Sequence, residues 1–64
     1  MFDRKYTMDE LRQCAEREVK MRRQVYPNRV LTNRMSQHQA DTEIAKMAEI
    51  ADVLAKLSVG EMLV

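Results

Sequence analysis

The chain has 64 residues and a mass of 7.5 kDa, with 45% apolar and 33% charged residues and a formal net charge of +1. A domain this small buries only about 60% of its unfolded surface, so it needs very regular helix packing or a second copy of itself. A lone cysteine excludes an intramolecular disulfide, one cysteine with one histidine excludes a zinc finger or ribbon, and a single glycine excludes a glycine-rich phosphate loop.

One Gly and one Pro in so apolar a chain suit long helices rather than a turn-rich β fold or a disordered segment. No apolar run approaches the length of a membrane span, and no membrane partner is expected. The opening Met1-Phe2-Asp3-Arg4-Lys5-Tyr6 lacks the apolar core of a secretory signal. With the single thiol Cys14, these features suggest a reducing, cytoplasmic setting. Charge is divided between the halves. Residues 1–34 carry nine Lys/Arg against five Asp/Glu, a balance of +4, while residues 35–64 carry two against five, a balance of −3. Such halves are complementary, within a hairpin or between copies.

In chain order, Thr7-Met8-Asp9-Glu10 reads as a capping box, with Tyr6 and Leu11 at the staple positions. Helix 1 is expected over about 8–31. Pro27 removes an amide donor and disfavours helical geometry at Tyr26, so a break or a kink is expected there. The kink is favoured because Tyr26 and Val30 continue one apolar face. Thr32-Asn33-Arg34 forms the turn, with Asn33 suited to a left-handed conformation. Ser36-Gln37-His38-Gln39 is a second capping box, flanked by Met35 and Ala40. Helix 2 is expected over about 37–57, ending at Ser58-Val59-Gly60 with Gly60 near the cap. The whole, residues 1–64, reads as one all-α domain: an antiparallel helical hairpin that completes a four-helix bundle as a homodimer.

The helix faces carry the functional expectations. On helix 1, Leu11, Ala15, Val19, Tyr26 and Val30 fall on one side of a broad apolar stripe, and Cys14, Met21 and Val25 on the other. Glu18, Arg22 and Arg29 lie in the middle of that stripe. They are either an intrahelical Glu18/Arg22 pair whose stems cover apolar neighbours, or a polar network that fixes register or partner choice. On helix 2, Ala40, Ile44, Ala48, Ala51 and Ala55 form a small-residue strip, assigned to the hairpin contact. Met47, Ile50, Leu54 and Leu57 form a larger strip, assigned to the dimer interface; the reverse assignment, or one undivided core, also fits the spacing. The apolar tail, Val59 and Met62–Val64, either seals the bundle end or frays.

Candidate chemistry is sparse. Cys14 is expected to be a small buried thiol at the edge of the stripe. His38 lies beyond the turn, so antiparallel helices keep it from Cys14 and no nucleophile–base dyad forms. Asp41, Glu43, Glu49 and Asp52 lack a Glu-x-x-His partner, so the sequence does not support a di-iron bundle site. The chain therefore reads as non-enzymatic, without metal or cofactor. Two functions follow. The first is a protein–protein interaction module contacting its partner through Glu18, Arg22 and Arg29. The alternative is a small nucleic-acid-binding accessory using Lys20, Arg23 and Arg34, although Glu16 and Glu18 interrupt that cluster and aromatic residues for base stacking are few.

The run Cys14-Ala15-Glu16-Arg17-Glu18-Val19-Lys20-Met21-Arg22-Arg23-Gln24-Val25-Tyr26-Pro27, with Met35-Ser36-Gln37 and the Ala40-Asp41…Glu43-Ile44-Ala45…Met47 segment, resembles a group of short phage and prophage proteins of uncharacterised function. They share an Arg-Arg-x-Val-Tyr-Pro element and a Met-Ser/Thr-Gln turn before an acidic, alanine-rich helix. The resemblance covers roughly residues 11–50 and implies an accessory role in the cytoplasm of a bacterial host, modulating a host protein. It supplies no catalytic residues.

Overall fold

The computed structural model describes residues 4–62, the last two by backbone only. Helix α1 spans Met8–Leu31 and helix α2 spans Gln37–Met62, and the two pack against each other as an antiparallel hairpin. The start of α1 is the expected capping box. The Thr7 hydroxyl accepts from the Glu10 amide at 3.1 Å, and the Thr7 amide donates to Glu10 Oε1 at 3.4 Å. Asp9 and Glu10 add negative charge beside the first-turn amides.

Helix α1 runs through Pro27 to Leu31. The proline deprives the Arg23 carbonyl of its helical donor, at an ordinary cost of about 3 kcal/mol in a helix interior. Arg23 and Pro27 are both exposed, so solvent can reach that carbonyl, while Tyr26 and Val30 are half-buried beside Ala40 and Ile44 and hold the last turns in place. The helix ends in a Schellman arrangement. The Arg34 amide reaches the Arg29 carbonyl at 2.8 Å, the Asn33 amide reaches Val30 at 3.1 Å, and Asn33 takes the left-handed conformation with φ 59°. Ser36 then opens α2, its hydroxyl accepting from the Gln39 amide at 3.0 Å.

Helix α2 does not end at Leu57. It continues through Ser58, Val59 and Gly60 to Met62. Gly60 has no positive φ and so is not a left-handed cap. The reason is tertiary. Ser58 is 4% exposed, turned into the seam, where its hydroxyl donates to Asp9 Oδ1 at 3.3 Å. Local stop signals are outweighed when the turn that carries them is held against a neighbouring helix. Val59 is exposed, whereas Leu63, Val64 and the side chain of Met62 lie outside the described residues.

The core is a seam rather than a volume. Ala15, Val19 and Ala51 form its buried centre, with Met47, Ala48 and Leu54 packed against them, and Ala40 is 2% exposed near the turn. The particle measures 47 × 20 × 17 Å with a radius of gyration of 14.6 Å. A compact domain of this length would have a radius near 11 Å. Its 5338 Å² of accessible surface likewise exceeds the roughly 4,200 Å² expected of a compact 7.5 kDa monomer.

Gly60 lies in the last turn of α2, and a methyl group added to its α-carbon would meet nothing within 4 Å. Gly60→Ala should therefore stabilise the chain by about 0.5–1 kcal/mol. A urea titration followed by circular dichroism measures this; a loss of stability would mean that Gly60 caps the helix after all.

Candidate interaction surface

The seam divides the hairpin into two unlike flanks. On one, Leu11, Cys14, Ala15 and Glu18 of α1 and Met47, Ile50 and Leu54 of α2 line a shallow groove whose walls are almost wholly apolar. Met21 stands seven residues beyond Cys14, and Leu57 seven beyond Ile50, so each extends the same flank by two turns. Ile50 is 49% exposed, Val53 and Leu57 are each 50% exposed, and Met21 is 42% exposed. On the other flank, Glu16, Lys20 and Arg23 border a groove floored by Val19, Ala48 and Ala51. Arg12 bridges Asp9 and Glu16 beside it, at 2.7 Å to each.

The small-residue strip of α2 therefore faces α1, as assigned from spacing, with Ala40 and Ala51 buried and Ile44, Ala48 and Ala55 half-buried. The larger strip is split. Ile50 and Leu57 are exposed, whereas Met47 and Leu54 are half-buried and also pack on the hairpin core. Two residues outside the strip expected at the interface, Val53 and Met21, join the exposed group. Cys14 is exposed on the apolar flank, not buried: α2 approaches Ala15 and Val19 and leaves the position one residue before Ala15 uncovered.

Two residues of the charged line in the α1 stripe, Glu18 and Arg22, form the intrahelical pair, and Arg22 also bonds across the seam. Arg22 Nε donates to Glu18 Oε1 at 2.9 Å, the expected intrahelical pair, and Arg22 Nη1 reaches across the seam to the Glu43 carbonyl at 2.8 Å. One guanidinium thus ties an α1 carboxylate to the α2 backbone, and the Glu18 hydrogen bond raises its pKa further above the ordinary arginine value. Arg29 does not join this bond network. It is exposed, its guanidinium 5.4 Å from the Tyr26 ring centre, while that of Arg22 is 5.9 Å from the same centre. A second tie closes the far end of the hairpin. Asp9 accepts from Arg12, Gln13 and Ser58. The bond from Arg12, then that from Gln13, hold its carboxyl below the usual carboxylate value. Sequence reading missed Ser58 because a serine before a glycine resembles a helix end.

The nucleic-acid candidates are not gathered. Lys20 and Arg23 share the charged flank with Glu16, and Arg34 sits in the turn. His38, in the first turn of α2, is exposed at the opposite end of the hairpin from the Ser58 contact. Among the described residues no group of three or more His, Cys, Asp or Glu side chains is placed to hold a metal ion, and no helix is long and apolar enough to cross a membrane. The class defined by this geometry is an all-α helical hairpin with one apolar and one charged flank. Comparison with protein-family models, curated proteins and solved structures finds no match to the chain.

Arg22→Lys keeps the charge but cannot hold both partners in the same fork, so it should cost about 1 kcal/mol in urea denaturation, and Arg22→Ala about 1–2 kcal/mol. The depressed Asp9 carboxyl adds stability that is fully present above the ordinary aspartate pKa near 3.9 and is lost as pH falls through the lower folded value. Asp9→Asn should therefore lower the melting temperature at pH 7, and its difference from the parent chain should shrink as pH drops below about 4. An unchanged gap at low pH would remove Asp9 from the linkage.

Proposed function

We propose that this chain is a non-enzymatic protein–protein interaction module that works as a homodimer, two hairpins forming a four-helix bundle through their apolar flanks. The exposed set Met21, Ile50 and Leu57 along one side of the hairpin, with Val53 at the adjoining outer edge of α2, carries the reading. Each of these side chains is already about half covered within the hairpin, so covering the remainder contributes about 1 kcal/mol apiece. The excess of accessible surface over a compact monomer, on the order of 1,000 Å² per copy, is the amount that a standard-sized interface removes from each partner. The charged flank, Glu16, Lys20 and Arg23, stays outward in that bundle and is the surface left for a further protein. Glu18 and Arg22 support recognition indirectly, by setting the register of the two helices, and Arg29 offers an exposed cation beside Tyr26.

The Arg-Arg-x-Val-Tyr-Pro resemblance extends this to a phage or prophage accessory protein acting on a host protein in the bacterial cytoplasm. Nucleic-acid binding is the weaker reading, because Lys20 and Arg23 stand beside Glu16 and far fewer cations converge than a phosphate track requires.

Sedimentation equilibrium at micromolar concentration should give twice the chain mass. Ile50→Glu combined with Leu57→Glu should raise the dissociation constant about a hundredfold or more. Lys20→Ala, on the other flank, should leave it unchanged. Without any substitution, the Cys14 thiol should react with a disulfide reagent faster on dilution, as dissociation uncovers the flank. A chain that remains a single, cooperatively melting molecule at high micromolar concentration would overturn the proposal.

A further inference from the structure

We infer that the second copy is related by a two-fold axis parallel to the helices, so that each α1 covers the partner's α2, both turns lie at the same end, and Arg17 meets the partner's Glu49. This rests on the homodimer reading above and deepens it by fixing the arrangement. Two closed two-fold arrangements bring the apolar flanks face to face. With the axis across the helices, α1 lies on the partner's α1, α2 on the partner's α2, and the turns point to opposite ends. With the axis along them, unlike helices meet. Both bury the same apolar side chains, and hydrophobic burial is non-directional, so it does not choose between them.

Charge chooses. The first half of the chain has a balance of +4 and the second a balance of −3, so like-on-like stacking opposes basic to basic and acidic to acidic, and unlike stacking matches them. The rim of the apolar flank repeats this residue by residue. Arg17 lies three residues beyond Cys14, and Glu10 seven before Arg17, on the outer edge of α1. Glu49 and Lys56 lie one turn either side of Val53, on the outer edge of α2. The contacts Asp9–Ser58 and Arg22–Glu43 fix the relative height of the two helices. By interpolation, Arg17 is level with Glu49 and Glu10 with Lys56. An axis parallel to the bundle keeps these heights, so it sets Arg17 against the partner's Glu49, twice by symmetry; Glu10 and Lys56 also stand level, but Glu10 is held by the Thr7 cap and Lys56 lies 2.9 Å from its own Asp52. Lys46 is level with Lys20, but Lys20 belongs to the opposite flank, and Lys46 lies 3.9 Å from its own Glu43. The crosswise axis instead lays Arg17 on the partner's α1 and Glu49 on the partner's α2, so the two do not meet. Rim pairs add little affinity individually, yet their sign decides between two arrangements that are otherwise equal.

Charge reversal separates the outcomes. Arg17→Glu and Glu49→Arg should each weaken the dimer about tenfold, through two symmetric pairs turned repulsive, and the double variant should recover to within about threefold of the parent. Tighter association of Arg17→Glu, or failure of the double variant to recover, overturns the parallel axis while leaving the homodimer standing. A second readout is independent of affinity. In a Cys14→Ser background, spin labels on Arg34→Cys should lie within about 20 Å, roughly two helix diameters. A separation approaching the 47 Å length of the hairpin would place the turns at opposite ends and overturn the inference. A parent chain that is monomeric at high micromolar concentration defeats the homodimer reading itself, and this arrangement with it.

Discussion

Close approach of two helix backbones along a seam of small residues is the constraint from which the rest of this molecule follows. Ala15, Ala40 and Ala51, with Val19, allow α1 and α2 to come near each other, and the same closeness leaves no room between them for large side chains. Apart from Val19, and from Met47 and Leu54 packed at its edge, the larger apolar side chains then stand beside the seam rather than in it. They do so unevenly. Ile50, Leu57 and Met21 are exposed on one flank, with Val53 at the adjoining outer edge of α2, whereas Glu16, Lys20 and Arg23 line the other. A pair of rods 47 Å long has no interior in which to hide that apolar surface. The hairpin therefore keeps an exposed apolar flank, which is the physical basis of the proposed association.

An alanine seam is slippery. Small side chains do not interlock deeply, so one register of the helices differs little from the next in buried area alone. Directional bonds supply the missing specificity. Arg22 links the Glu18 carboxylate to the Glu43 carbonyl near the turn end of the seam, and Ser58 links to Asp9 at the far end. Two ties at separated heights favour one register over a slide by a residue, which would break both. Both involve polar groups that are otherwise expensive to bury, and among the described residues no buried side-chain nitrogen or oxygen lacks a partner. Within the charged line of the α1 stripe, the oddest feature of the sequence, Glu18 and Arg22 thus tie the two helices together, while Arg29 stays outside that tie.

Much of the fold was legible because its determinants are local. The Thr7 and Ser36 caps, the left-handed Asn33 and the extent of α1 each depend on residues a few positions apart, and each stands where spacing put it. The end of α2 was not legible. Ser58 and Gly60 carry the local signature of a terminus, and only the contact with Asp9, 49 residues away in the chain, overrides it. Cys14 was misjudged for a related reason. A helical wheel shows that a residue borders an apolar stripe, but not where the neighbouring helix stops covering it.

The candidate surface divides in the same way. Periodicity alone showed that the apolar stripe of α2 is wide and that its strips differ in side-chain size. The tertiary structure decided which strip met α1, that Met47 and Leu54 serve the seam as well as the flank, and that Val53 and Met21 belong with Ile50 and Leu57. It also showed that Arg22 spans the seam while Arg29 stays outside over Tyr26. Sequence determines what a helix face offers, because that follows from a fixed rotation per residue. What each face meets depends on the rotation and height of one whole helix against another, and those are set by a few long-range contacts that no local pattern encodes.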